Sequence, residues 1–435
     1  MTTFAPIFVP PELRDAVSDA AWLAAMLEAE RALANAASLA GAIPAHAAAA
    51  IAERCEPELY DLDDLCAQGR AAGNPVEPLV RALRAQVGEE AAAYVHRGAT
   101  SQDILDTAAM LVARNALDLV LGDLDAAARA CASLAEAHRD TIMVARTLLQ
   151  QAVPTTFGLK AAVWLDGILD ARSGLARVRA ERLAVQLGGA AGTLAALGEA
   201  GPEVLRLYAA ELDLAAPELP WHVNRSRVGE LAAALQLAAG AAAKVALDVV
   251  LLAQSEIAEV AEGAGGGSST MPHKRNPARS VVALACARQA AGHASMLLGG
   301  LAQEHERAAG AWHAEWGALS GLLATAGGAV AATREALEGL VVDVGRMRAN
   351  LEASGGVVLA ERLSLLLAER LGAAEARSVL ADALAGGGAL RDELAPHLPV
   401  EELEAALDHD TYLGSAATFV DRALARYRRE LGAGG

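Results

Sequence analysis

Three short segments gather the hydroxyls, amides and cations with which this chain could bind and move charge. The first is Tyr94-Val95-His96-Arg97-Gly98-Ala99-Thr100-Ser101-Gln102-Asp103. Thr100 to Asp103 approximates a capping box for a helix beginning near residue 102, and a capped helix alone would explain it. The second, Arg146-Thr147-Leu148-Leu149-Gln150-Gln151-Ala152-Val153-Pro154-Thr155-Thr156-Phe157-Gly158, clusters polar groups just before another long helix. An ordinary loop does the same. The third is Gly265-Gly266-Gly267-Ser268-Ser269-Thr270-Met271-Pro272-His273-Lys274-Arg275-Asn276-Pro277. Its glycines suit a flexible linker, and Asn276-Pro277 suits an N-cap followed by a first-turn proline. A linker does not explain paired serines beside His273, Lys274 and Arg275.

Charge sets two of these segments apart. The formal net charge is -18, yet residues 263–303 contain no Asp or Glu while holding Lys274, Arg275, Arg279 and Arg288. Residues 142–165 are also free of acids and carry Arg146 and Lys160. All three segments precede expected helix N-termini, where unpaired N–H groups and the helix dipole favour anions. Together they suit a small substrate bearing several carboxylates. The third segment lacks the GxxxxGK[ST] spacing of a phosphate loop, the histidines form no HExxH, and the four cysteines form no CxxC pair. No metal or cofactor is implied, and the cysteines are expected to be buried free thiols. So acidic a chain is poorly suited to nonspecific nucleic-acid binding, which draws its affinity from phosphate neutralisation.

The elements that must position these segments are helical. Hydrophobic residues make up 54% of the sequence but aromatics only 3%, and alanine dominates. Such a composition favours closely packed helices, and no strand-like alternation stands out. A proline inside a helix costs about 3 kcal/mol, so proline-free windows map the long helices. They are expected at about 102–138, 155–186, 226–262, 277–308 and 312–348, the third about 55 Å long. Prolines break the first hundred residues into short pieces, and Ser354-Gly355-Gly356 and Gly386-Gly387-Gly388 delimit a further small helical region. Three helical domains follow: 1–101, a central long-helix bundle and oligomerisation domain at 102–348, and 349–435. The most apolar stretch, about 231–253, carries Lys244 and Asp248 in its middle and reads as a buried bundle helix, not a membrane span. Met1 to Arg14 has three prolines and no charged region leading into an apolar run, so a cytoplasmic location is the default expectation.

The third segment resembles the signature loop of the fumarase/aspartase superfamily, Gly-Ser-Ser-x-Met-Pro-x-Lys-x-Asn, matching it throughout. The order and spacing of the other two segments resemble that superfamily's remaining motif regions. This resemblance implies an all-α fold of three helical domains and a homotetramer with a shared helical core and active sites assembled from three subunits. It also implies proton transfer at a carbon beside a carboxylate, through a carbanion stabilised as an aci-carboxylate. By position, Ser268 is the proton-transfer residue, while Lys274 and Asn276 bind carboxylates and stabilise the developing charge. Thr100, Ser101 and Gln150 fall on substrate-binding positions, His96 on that of a substrate-contacting histidine. Arg146, Thr156, Ser269, Met271 and Arg279 complete the implied contacts.

Departures within the superfamily select the reaction. Fumarases and adenylosuccinate lyases resemble Arg-Thr-His-x-Gln in the second segment, where this chain has Leu148. Gly73-Asn74-Pro75-Val76, Thr147-Leu148-Leu149-Gln150-Gln151 and Ala311-Trp312-His313-Ala314-Glu315-Trp316 resemble the carboxymuconate cycloisomerase branch, although Arg97 stands where that branch has an aromatic residue. The implied activity is lactonisation of the tricarboxylate 3-carboxy-cis,cis-muconate to 4-carboxymuconolactone, in protocatechuate degradation. A C–N or C–O lyase of the adenylosuccinate-lyase kind is the alternative.

Overall fold

The computed structural model describes residues 3–263, 266, 267, 271, 274–386 and 388–432. Seven helices carry the argument: α1 (Asp19–Leu39), α2 (Ser101–Ala137), α3 (Phe157–Glu181), α4 (Ser226–Leu252), α5 (Ala278–Gly299), α6 (Ala311–Glu338) and α7 (Val344–Glu352). Among the described residues, three small antiparallel strand pairs fall between these helices in the chain. They are β1 (Ile142–Thr147) with β2 (Gln150–Thr156), β3 (Val260–Glu262) with β6 (Leu340–Val342), and β4 (Gly266–Gly267) with β5 (Arg275–Asn276). The fold is all-α in class, as expected.

The chain divides into two compact units: residues 1–124, 170–243 and 282–332 form the first, and 125–169, 244–281 and 333–435 the second. In the first, alanine and glycine let helices approach closely. A Cβ on Gly327 of α6 would lie 2.4 Å from Leu13, and one on Gly321 would meet the His293 ring at 2.5 Å. Trp22 Nε1 of α1 donates to Ser320 Oγ of α6 at 2.8 Å. In the second unit, Ile142 and Val144 of β1 pack with Leu351, Val358 and Leu359. The helices after residue 360 enclose a separate small core around Leu363, Leu367, Leu394 and Leu403.

Several helices stop short of the lengths read from proline spacing. At 27 residues α4 spans about 40 Å, because the chain turns after Leu252 and Val260–Glu262 pairs with Leu340–Val342. That pairing also ends α6 at Glu338, and the Asp343 side chain, accepting from the Arg346 N–H at 2.8 Å, starts α7. The helix α5 ends at the Gly299-Gly300 step. The second segment is a β-hairpin and not a plain loop. Of the cysteines, Cys55, Cys131 and Cys286 are buried free thiols, whereas Cys66 is exposed.

Gly158, in the first turn of α3, donates its N–H to the His138 carbonyl at 2.8 Å, and a Cβ there would lie 2.6 Å from that oxygen and from Arg139 Cα. Both contacts are backbone and cannot step aside. Gly158→Ala is therefore expected to lower stability by about 1–3 kcal/mol, read from the midpoint of denaturant unfolding.

Candidate active site

In the first unit, the site is built on two carboxylates one turn apart at the start of α2. Asp103 is fully buried and collects the N–H groups of Thr100, Gly188 and Gly189 at 2.8–2.9 Å, with His222 Nε2 at 2.7 Å. The Thr100 contact is the half of the expected capping box that returns from side chain to backbone. Asp106 receives Arg225 through both terminal nitrogens, at 2.7 and 3.0 Å, and Trp312 Nε1 at 3.0 Å. Arg225 also engages Glu315, at 2.5 Å from its Nη2. Burial pushes the Glu315 carboxyl above its usual range, with Arg225 opposing. Gln102 donates to Asp106 and to the His222 carbonyl, and accepts from Arg307 at 2.9 Å.

This network fixes the helix start while leaving its hydroxyls unused. Thr100 and Ser101 are half-buried, and their side chains make no hydrogen bond among the described residues. His96 lies just upstream with Nδ1 against Glu30.

In the second unit, the hairpin holds the second segment. Arg146 is not the free cation expected: its guanidinium forms a two-bond pair with the buried Glu259, at 2.8 and 2.9 Å, and Asn350 of α7 donates to the same carboxylate. Thr156 is buried, and its hydroxyl accepts from the Leu159 N–H at 3.1 Å, capping α3. Gln150 is exposed. At the tip, Leu148 and Leu149 are 97% and 72% exposed and both adopt positive φ, 49° and 66°. A two-residue hairpin turn demands this backbone, but asparagine and glycine normally supply it.

The third segment is partly described. Ser268 and Ser269 lie outside the described residues. Lys274 and Met271 are exposed, and Asn276 pairs with Gly266 in the β4–β5 ladder. Asn276 therefore does not cap α5. The buried Glu262 of β3 does so instead, accepting the N–H groups of Arg279 and Ser280 at 2.9 Å and the Ser280 hydroxyl at 2.7 Å. The Arg279 guanidinium pairs with Glu335 at 3.0 Å. Arg275 and Asn276 help line a cavity of about 300 Å³.

The acids that hold these segments, Glu30, Glu259, Glu262 and Glu315, were not found from sequence. Glu30 and Glu259 come from distant stretches with no local motif, whereas Glu262 stands just before the third segment and Glu315 within the quoted Ala311–Trp316 run, neither singled out for this role. A larger cavity of about 720 Å³, lined by Trp22, Met26, His293 and Trp316, contains none of the candidate residues. Among the described residues, no three His, Cys, Asp or Glu side chains converge as a metal site.

A family model described as a lyase matches residues 10–292. The 3-carboxy-cis,cis-muconate cycloisomerase of Bradyrhizobium diazoefficiens is 44% identical over 442 residues, with 98% of each chain covered. This chain belongs to the lyase family, within the fumarase/aspartase superfamily. Another lyase-family relative, the nitrosuccinate lyase of Streptomyces davaonensis, is 46% identical over 96% of this chain and 93% of its own. The crystal structure of the 3-carboxy-cis,cis-muconate lactonizing enzyme of Pseudomonas putida superposes with a TM-score of 0.92 at 41% identity, covering 98% of this chain and 99% of that one.

Removing Arg225 would leave Asp106 and Glu315 buried together without a counter-charge. Arg225→Met is expected to cost about 3–5 kcal/mol at pH 7. The Glu315 carboxyl, which burial already pushes up, would then lose the cation that opposes that shift. The folded state binds the extra proton, so stability should return as pH falls from 7 towards about 4.5, checked by unfolding across that range.

Proposed function

We propose that this lyase-family chain is a 3-carboxy-cis,cis-muconate cycloisomerase, forming 4-carboxymuconolactone by intramolecular addition. The observation that carries the reading is similarity along nearly the whole chain to cycloisomerases in both sequence and fold. Leu148 gives it chemical sense. Water or an amine must lose a proton to attack and regain one to leave, which calls for an acid–base group. A carboxylate is already ionised at neutral pH and is a competent nucleophile without help. Lactonisation therefore needs one protein-mediated proton transfer: a carboxylate oxygen bonds to one alkene carbon, and the neighbouring carbon, beside another carboxylate, takes a proton. We assign that proton to Ser268, with Lys274 and Asn276 stabilising the aci-carboxylate. The free hydroxyls of Thr100 and Ser101, together with His96 and Gln150, hold the remaining carboxylates.

We further infer a homotetramer with shared active sites. By length and composition, three helices among the described residues could cross a membrane, α4 and α5 being two of them. We read their exposed apolar side chains, Leu237 and Leu247 on α4 and Val281, Met296 and Leu298 on α5, as subunit contacts. Lys244 and Asp248, paired at 2.6 Å within α4, favour that reading over lipid. Two exposed leucines held at positive φ fit a tip that a neighbouring subunit covers, since such backbone strain persists where surrounding structure over-determines it. Sedimentation is expected to give a tetramer at micromolar concentration, and an active monomer would remove this assembly.

The relative at 46% identity favours a second reading, elimination of a C–N bond through the same kind of carbanion. Purified protein should be assayed against 3-carboxymuconate, nitrosuccinate and adenylosuccinate. Loss of the diene absorbance with the first substrate alone is the expected result, and turnover of either succinate in its place would establish the lyase. Ser268→Ala should lower turnover about 100- to 10,000-fold with assembly intact, whereas Lys274→Ala should impair KM and kcat together.

A further inference from the structure

The His96 ring is held by a buried acid that the proposed reaction does not otherwise use. Glu30 lies on α1, almost fully buried, with Oε1 2.5 Å from His96 Nδ1. His96 itself has φ 61°, a left-handed backbone uncommon for any residue but glycine and concentrated at functional sites. Its neighbours pin it there. Arg84 donates to the Val95 carbonyl at 3.2 Å, and Gly98 packs so tightly that a Cβ would lie 2.4 Å from Leu197 Cγ. The ring remains 12% exposed, and Nε2 makes no hydrogen bond among the described residues.

With Nδ1–H committed to Glu30, the protonation of Nε2 decides what the ring offers a ligand. A neutral ring presents a lone pair that repels a carboxylate, whereas an imidazolium presents a charged N–H donor. We propose that Glu30 is a positioning residue that keeps His96 an imidazolium, so that Nε2–H binds one carboxylate of the substrate. The proposal rests on the reading that residues 96–101 bind substrate.

The surrounding charges agree with it. Burial pulls the His96 pKa down, but the charge and hydrogen bond of Glu30, helped by Asp103 and opposed by Arg84, raise it above its ordinary value. Cys55, Tyr60 and Tyr208 also feel Glu30, but burial pushes each of these groups up and keeps it neutral. Arg31, next in sequence, is paired with Glu211 at 2.9 Å.

Tricarballylate, a saturated tricarboxylate, serves as the probe, titrated calorimetrically into the intact assembly between pH 6 and pH 8. Wild-type affinity should fall less from this group than that of Glu30→Gln, which should bind about tenfold more weakly at pH 8 than at pH 6. His96→Gln should bind weakly at both. A Glu30→Gln profile parallel to wild type, with His96→Gln impaired, overturns the role of Glu30 and spares the binding site. Wild-type binding by His96→Gln overturns both. Should Glu30→Gln fail to assemble, histidine-labelled wild-type protein still decides by NMR. A His96 signal, identified by its loss in His96→Gln, that titrates above 6.5 supports the proposal, and one that titrates at or below 6.5 overturns it.

Discussion

Asp103 and Asp106 lie three residues apart on α2, so one turn of helix sets both carboxylates on neighbouring positions of the same face. Neither reaches solvent. A buried carboxylate must find donors, and beyond the local Thr100 N–H and Gln102 amide they come from residues 188–189, 222, 225 and 312, far away in sequence. Much of the first unit's polar interior follows from that requirement. Gln102 is gripped between Asp106, the His222 carbonyl and Arg307, which also ties down the Gly189 and Ala190 carbonyls. The start of α2 is thus held from all sides by groups that do not themselves need to touch a substrate. Thr100 and Ser101 inherit a fixed position with their hydroxyls unspent.

The second unit solves the same problem with different acids. Glu259 absorbs Arg146 and Asn350, and Glu262 absorbs the open N–H groups at the start of α5. Two cations that looked available for an anionic ligand, Arg146 and Arg279, are thereby committed to the framework. In the proposed reading, anion binding by the acid-free windows rests more on Lys274 than a count of charges suggests. A site of this kind suits a delocalised aci-carboxylate, whose charge is best met by several preorganised donors.

Two relatives of similar identity carry different names, a cycloisomerase and a nitrosuccinate lyase. Lactonisation and elimination both pass charge onto a carbon beside a carboxylate, and differ in the group bonded to the adjacent carbon. That group decides whether a second acid–base residue is required. Overall identities of 44% and 46% do not separate the two names, and Leu148 is the residue of the second segment on which the proposed reading draws.

What could be read from the chain alone was whatever is encoded locally. Alanine content and proline spacing located the long helices, because propensity and the missing N–H act within a few residues. The signature-like loop identified the superfamily, because its residues are contiguous. Helix ends and partners were decided elsewhere. α4 and α6 end where Val260–Glu262 pairs with Leu340–Val342, an event between stretches about eighty residues apart with only three residues on each side. The hairpin escaped notice because its turn is Leu-Leu, whose left-handed backbone no local preference would predict. Arg146 looked free because its partner, Glu259, lies 113 positions away. Charge composition is a property of the chain, but whether a given charge is spent or available is settled only when folding brings its partner within hydrogen-bond reach.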